Sequence, residues 1–140
     1  MKNLFLDTNV VIDFLADRKP FSDSAAQIFN MGQSRKLKLF ISAVSYNTIY
    51  YILRQSQSEK STIYLLKELS ALAAIADVTQ DVIRKALQAE FKDFEDAIQY
   101  YTAASIPKIH CVVTRDPKGF KQSALPVMSP LEVLQLIQEV

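Results

Sequence analysis

A chain of 140 residues, 49% hydrophobic and 22% charged, has the size and balance of one globular domain and can bury a core without covalent staples. Its formal net charge of +1 excludes the strongly basic composition of an overt nucleic-acid binder, so any such contact has to be local. Two glycines, Gly32 and Gly119, are too few and too far apart for a phosphate-cradling P-loop, a dinucleotide fingerprint or a GxSxG elbow, and the single Cys111 excludes an internal disulfide and a cysteine-based zinc cage.

In chain order, Leu4-Phe5-Leu6 reads as a buried strand, followed by a helix from about Val10 to Ala16. This opening apolar run is broken by Asp7, which is too early for a secretory leader, and no stretch has the ~18–20 apolar residues of a membrane span. A cytoplasmic protein without a membrane segment is therefore expected. Past Pro20, Ser22 or Asp23 can cap a helix to about Ser34. Leu37–Ile41 is the second strand, and Ser42 caps a long helix through about Leu53. Ser58 opens a helix to about Leu72, and Ala73–Ala76 is either a strand or that helix's tail. Thr79 caps a helix to about Glu90, and another runs from Phe94 to Ser105 before Pro107. Ile109–Val113 is a strand, and Pro126–Met128 is a short edge strand. Ser129-Pro130 opens the last helix with a cap and a proline at its first position. Strands alternating with helices imply βαβ units, a parallel sheet covered on both faces, and functional groups at the carboxyl ends of the strands.

Those ends are acidic. Asp7-Thr8-Asn9 follows the first strand, Thr114-Arg115-Asp116 follows the fourth, and Asp93, Glu95 and Asp96 open the helix before it. In that helix Phe94, Ala97, Ile98, Tyr101 and Ser105 trace the buried stripe, with Asp93 and Asp96 on its border. Each acid also has a plain structural reading. Asp7 or Asn9 can be a helix cap, Asp93 can decorate a first turn, and Asp116-Pro-Lys-Gly is a good type I turn. Together they matter more, because two carboxylates ~4 Å apart repel by about 4 kcal/mol at an effective dielectric of ~20 unless a proton or cation intervenes. All-oxygen ligands suit Mg²⁺ or Mn²⁺, which would activate water for phosphoryl displacement, with Asn9, Ser42 and Thr114 placed to orient the carboxylates. His110 is the only histidine, which excludes paired-histidine acid–base chemistry, and Cys111 reads as buried and inert.

These residues resemble a known family. Leu4-Phe5-Leu6-Asp7-Thr8-Asn9-Val10-Val11-Ile12 looks like the opening motif of PIN domains, Asp96-Ala97-Ile98-Gln99-Tyr100-Tyr101-Thr102-Ala103 like their Asp-Ala helix, and Val113-Thr114-Arg115-Asp116 with Phe120 like their strand-end motif. The resemblance runs in order over nearly the whole chain, read as a single domain over residues 1–140. It implies a three-layer α/β/α sandwich with a parallel sheet of about five strands, and a Mg²⁺- or Mn²⁺-dependent endoribonuclease. Small bacterial members of the family are VapC-like toxins of type II toxin–antitoxin modules. By the resemblance, Asp7, Asp96 and Asp116 are the catalytic, metal-holding acids. The fourth family acid, a Glu early in the helix after the second strand, falls on Thr48, which i, i+4 spacing with Val44 and Ile52 turns inward. Asp93, one turn before Asp96, is the acid best placed to compensate. The departure at Thr48 keeps open a second possibility, a catalytically weak or inactive PIN-like module that binds RNA or protein.

An RNA substrate needs basic residues around an acidic pocket, and Arg115, Lys118 and Lys121 follow the fourth strand. Arg18-Lys19 and Arg54 are further candidates, while Arg35-Lys36 precedes the second strand and belongs to the opposite end of the sheet. Tyr46 and Tyr50 share a helix face suited to bases or a protein partner, with Tyr51 nearer the buried side. By resemblance, that helix and the next would receive an antitoxin segment, and a homodimer is expected.

Overall fold

Strand β1 (Lys2–Leu6) lies at the centre of a five-stranded, wholly parallel sheet in a computed structural model that describes residues 2–121 and 123–138. It pairs with β2 (Leu37–Ser42) on one side and β4 (Cys111–Val113) on the other. The edges are β3 (Ala74–Ala76) beside β2 and β5 (Val127–Met128) beside β4, giving the order β3-β2-β1-β4-β5.

The period of two along the strands separates two cores. Leu4, Leu6, Leu39, Ile41 and Val113 pack into a layer formed by α1 (Thr8–Leu15), α2 (Ser22–Gln33), α3 (Ala43–Arg54), α4 (Glu59–Leu72) and α7 (Pro130–Gln138). Phe5 and Val112 point the other way, toward Ala103 of α6 (Phe94–Ala104) and Phe120; α5 (Gln80–Gln88) packs against α6 around Val82, Ala86, Ala97 and Ile98. This is the three-layer α/β/α sandwich with about five parallel strands that the sequence implies.

Most helix starts follow their caps. The hydroxyls of Ser42, Ser58 and Thr79 accept from Val44, Ser61 and Val82 N–H groups at 3.1–3.2 Å. Ser129 and Glu132 form a reciprocal capping box at the start of α7.

Several expectations are corrected. Helix α1 begins at Thr8 rather than Val10, because Asp7 itself is the cap. Strand β4 begins at Cys111: His110 lies outside it, although its N–H donates to Asn3 O and its Nδ1 accepts from Asn3 N–H. The undecided Ala73–Ala76 run resolves as β3 because Ala73 ends α4 in an extended conformation. The turn after Asp116 continues as a 3-10 turn over Pro117–Phe120. On α6, Phe94 and Ser105 are exposed, and the buried face instead includes Gln99, Thr102 and Ala103.

Strand β1 connects to β2 on one side and has the later strand β4 on the other. The crevice outside the carboxyl ends of β1 and β4 is therefore a topological switch point, where α/β sheets place their sites.

Candidate active site

Asp7 stands at that switch point, where its own N–H donates to Val113 O at 2.9 Å and locks the end of β1 to β4. The residue is 7% exposed. Oδ1 accepts from Thr8 N–H and Oδ2 from the Thr114 hydroxyl, both at 2.8 Å. The same Thr114 oxygen accepts from Asp116 N–H at 3.1 Å. One buried hydroxyl thus links the Asp7 carboxylate to the backbone of Asp116. Asn9 is not the cap of α1; its Oδ1 accepts from Arg115 N–H at 3.4 Å and braces the loop that carries Asp116. Each Asp7 oxygen keeps a lone pair after these bonds.

Helix α6 delivers the other acids. Exposed Asp93 is its cap, with Oδ1 accepting from Asp96 N–H at 3.0 Å, and the half-buried Asp96 follows in the first turn. Burial pushes the Asp96 carboxyl up to about 6, and the charges of Asp7, Asp93, Asp116 and Glu95 push in the same direction. Asp7 is also raised: burial outweighs the bonds from Thr114 and Thr8 that lower it, and Asp116 and Asp93 add to the rise. Asp7, Asp93, Glu95 and Asp116 therefore act together on Asp96. Gly119 matters to this packing, because a Cβ there would collide with the Asp96 carboxylate. Among the described residues, no group of three or more His, Cys, Asp or Glu side chains is arranged to hold a metal ion by itself.

Beside Asp96 a cavity of about 360 Å³ opens between the α5–α6 loop and the 3-10 turn, lined by Phe91, Lys92, Asp93, Asp96, Lys118 and Lys121. Lys118 and Lys121, singled out in the sequence, lie on this cavity. The Arg115 side chain lies elsewhere: its Nε pairs with the buried Asp13 at 3.2 Å, and its guanidinium sits 4.2 Å from the Phe21 ring centroid, at the α1–α2 corner.

Ser42 is buried and spends its hydroxyl on the α3 cap. Thr48 is half-buried, beside rather than on the buried stripe of α3, which is Ser45, Ile49 and Leu53, while Val44 is exposed. Tyr51 is likewise on the solvent side, at 63% exposure, and Tyr50 bonds Glu59. Arg54 is committed to Gln57 O and Glu59 at the α3–α4 corner, and Lys19 pairs with Asp17 and Asp23.

Sequence reasoning missed a buried polar knot. Gln99 Nε2 donates to Thr8 Oγ1 at 2.9 Å and to Ser45 Oγ at 2.8 Å, and the two hydroxyls bond each other at 2.7 Å. It fastens α6 and α3 to the start of α1, right behind Asp7. Gln99 sits one turn beyond Asp96, so a buried-face pattern centred on Asp96 would have found it. Phe91 and Lys92 were missed because they lie in a loop, where periodicity carries no signal.

A sequence model of the PIN domain family matches residues 3–118. Among curated proteins, the chain is 26% identical over 107 residues to Ribonuclease VapC1 of Aquifex aeolicus (strain VF5), covering 73% of this chain and 74% of that one. Among solved structures, it resembles a DNA-bound VapBC from Salmonella typhimurium at a TM-score of 0.72 and 19% identity, covering 93% of this chain and 99% of the other. It also resembles VapC20 of Mycobacterium tuberculosis, a Sarcin-Ricin loop cleaving toxin, at a TM-score of 0.63 and 15% identity, covering 83% and 92%.

Proposed function

Since the chain belongs to the PIN domain family, we propose that it is a metal-dependent endoribonuclease that hydrolyses RNA phosphodiester bonds, and that it is the toxin of a type II toxin–antitoxin module. The observation that carries this reading is that Asp7, Asp96 and Asp116 lie near one another at the β1/β4 switch point, where Asp116 adds to the rise of both Asp7 and Asp96. The relative named a ribonuclease, and the VapBC and VapC20 likenesses, support the reaction and the role.

The proposed cofactor is Mg²⁺ or Mn²⁺, and the residues present fit it. The donors are all carboxylate oxygens, they repel one another with no ion pair to a Lys or Arg among the described residues, and glycine at position 119 leaves the Asp96 carboxylate room. Asp7, Asp96 and Asp116 would hold the ion, with Asp93 beside them; such ions keep several waters and need only one or two carboxylates. A bound ion supplies Lewis acidity and an activated water at phosphorus. The chain's own part is to fix the acids: Thr114 and the Thr8 N–H hold the Asp7 carboxylate, and Asn9 holds the loop of Asp116. Lys118 and Lys121 supply positive charge for the RNA backbone. An antitoxin protein is the proposed partner, with a homodimer in the cytoplasm as the working form.

The test is cleavage of RNA by the purified protein with Mg²⁺ or Mn²⁺. Asp7→Asn is expected to lower the rate at least a hundredfold, and equal cleavage by that variant would reject the proposal. One observation favours a second reading, a non-cleaving RNA- or protein-binding module: the neutral Thr48 stands where the family carries an acid. Calorimetric titration separates the two, because absence of divalent-ion binding at millimolar concentration selects the second.

A further inference from the structure

We infer that the cavity beside Asp96 seats one unstacked nucleotide next to the scissile phosphate, with Phe91 carrying its base and Lys92, Lys118 and Lys121 its phosphate. The inference takes its substrate from the nuclease reading above and its geometry from the cavity itself. At about 360 Å³ the cavity falls within the ~300–1,000 Å³ of small-ligand sites.

The wall chemistry is mixed. Asp93 and Asp96 line the cavity, and an acidic wall alone repels a polyanion. Three lysines from two segments line the cavity as well, Lys92 beside Asp93 and Lys118 and Lys121 on and just after the 3-10 turn, and among the described residues none of them is in an ion pair. Other cations are already committed, Arg115 to Asp13 and Arg54 to Glu59. The three lysines of the cavity therefore remain available to a phosphate that enters it.

The aromatic wall is rigid. The Phe91 ring stacks on Tyr100 at 5.4 Å between centroids, with 29° between planes, and leans on Tyr101 at 6.2 Å. Tyr100 Oη accepts from Ala124 N–H at 3.2 Å, so the residue that backs Phe91 also ties down the segment after the 3-10 turn. An aromatic face held in place by two others is the kind of platform on which single-stranded nucleic acids stack. A base held in a duplex cannot reach it without leaving its stack.

The test measures binding and cleavage separately. Binding of a short, unstructured, fluorescein-labelled RNA is followed by anisotropy in EDTA over a range of salt concentrations, and cut positions are mapped with Mn²⁺ on a mixed-sequence RNA. Lys92→Gln is expected to weaken binding and lower the slope of log Kd against log salt by about 0.7. Phe91→Leu is expected to weaken binding about five- to tenfold with an unchanged salt slope, and to shift the preferred cut positions. Phe91→Tyr restores the aromatic face and is expected to bind like wild type. Lys60→Gln, on exposed α4 outside the cavity, serves as the unaffected control. If Lys92→Gln and Phe91→Leu bind and cut as wild type does, the nucleotide seat is rejected while the nuclease reading stands. If wild type binds RNA but never cuts it, and the variants lose binding as stated, the nuclease reading fails and the seat stands.

Discussion

A carboxylic acid that titrates near 6 in a folded chain is held there by its surroundings, and for Asp96 these are burial and four neighbouring acids. The sign of the effect on stability follows. Because the folded value lies above the ordinary 3.8, the neutral form is favoured by the fold. That contribution is fully present below about pH 4 and is lost as pH rises through about 6. Asp96→Asn should therefore stabilise the protein at pH 7.5 and have little effect at pH 4. Discounted for screening of a partly open carboxylate, the gain is about 1 kcal/mol, or roughly 3–5 °C in Tm. Thermal unfolding in EDTA at both pH values measures it, and a Tm unchanged at pH 7.5 would show that the acids do not act together on Asp96. The same substitution should abolish cleavage. A residue whose removal stabilises the fold and ends the activity is retained for its chemistry.

Between elements, the tie that matters most to the site is the knot of Thr8, Ser45 and Gln99. Gln99 Oε1 is buried without a partner, so the amide brings a cost along with its two donated bonds. Gln99→Leu removes both, and stability should change by less than about 1 kcal/mol, because Thr8 and Ser45 still bond each other. Activity should fall about tenfold as α6 loosens behind Asp7. Comparing Tm with the RNA cleavage rate checks this, and a large loss of Tm would mean that the knot chiefly stabilises the fold. The knot also shows where sequence patterns stop being informative. Caps such as Ser42, Ser58, Thr79 and Ser129 were legible because a side-chain oxygen ahead of an apolar repeat has one local role. The placement of Asp7 and Asp116 was legible because strand ends in a parallel sheet meet at one edge, and that of Asp96 because helix spacing put it beside the buried face of α6. Arg115 was misleading, because its position beside Asp116 says nothing of the buried Asp13 that claims it from another helix. Thr48 was misleading for a similar reason: α3 packs on Ser45, Ile49 and Leu53, and only tertiary contact chooses between two half-apolar faces.

For the whole molecule, a net charge of +1 hides a strong local imbalance. Acids crowd the switch point, while Arg35 and Lys38 line a cavity near the start of β2, at the other end of the sheet. A cation that binds only the folded form adds stability by mass action, about 2.7 kcal/mol at a hundredfold excess over its Kd, which is several degrees in Tm. Millimolar Mn²⁺ should therefore raise the Tm of wild type and leave that of Asp7→Asn unmoved. Equal shifts in the two proteins would place the ion elsewhere.

The central position of β1 has a consequence for synthesis. Its partner β2 leaves the ribosome early, but β4, which closes its other side, spans Cys111–Val113, and Asp116 comes later still. Until that segment emerges, β1 shows an open edge and Asp7 lacks the Thr114 hydroxyl and the Val113 carbonyl that fix it. For most of its translation a growing chain thus carries Asp7 alone, and it gains Asp96 and then Asp116 only in its last third. Whatever harm the finished protein can do to RNA is withheld from its own messenger until the last part of the chain has been made.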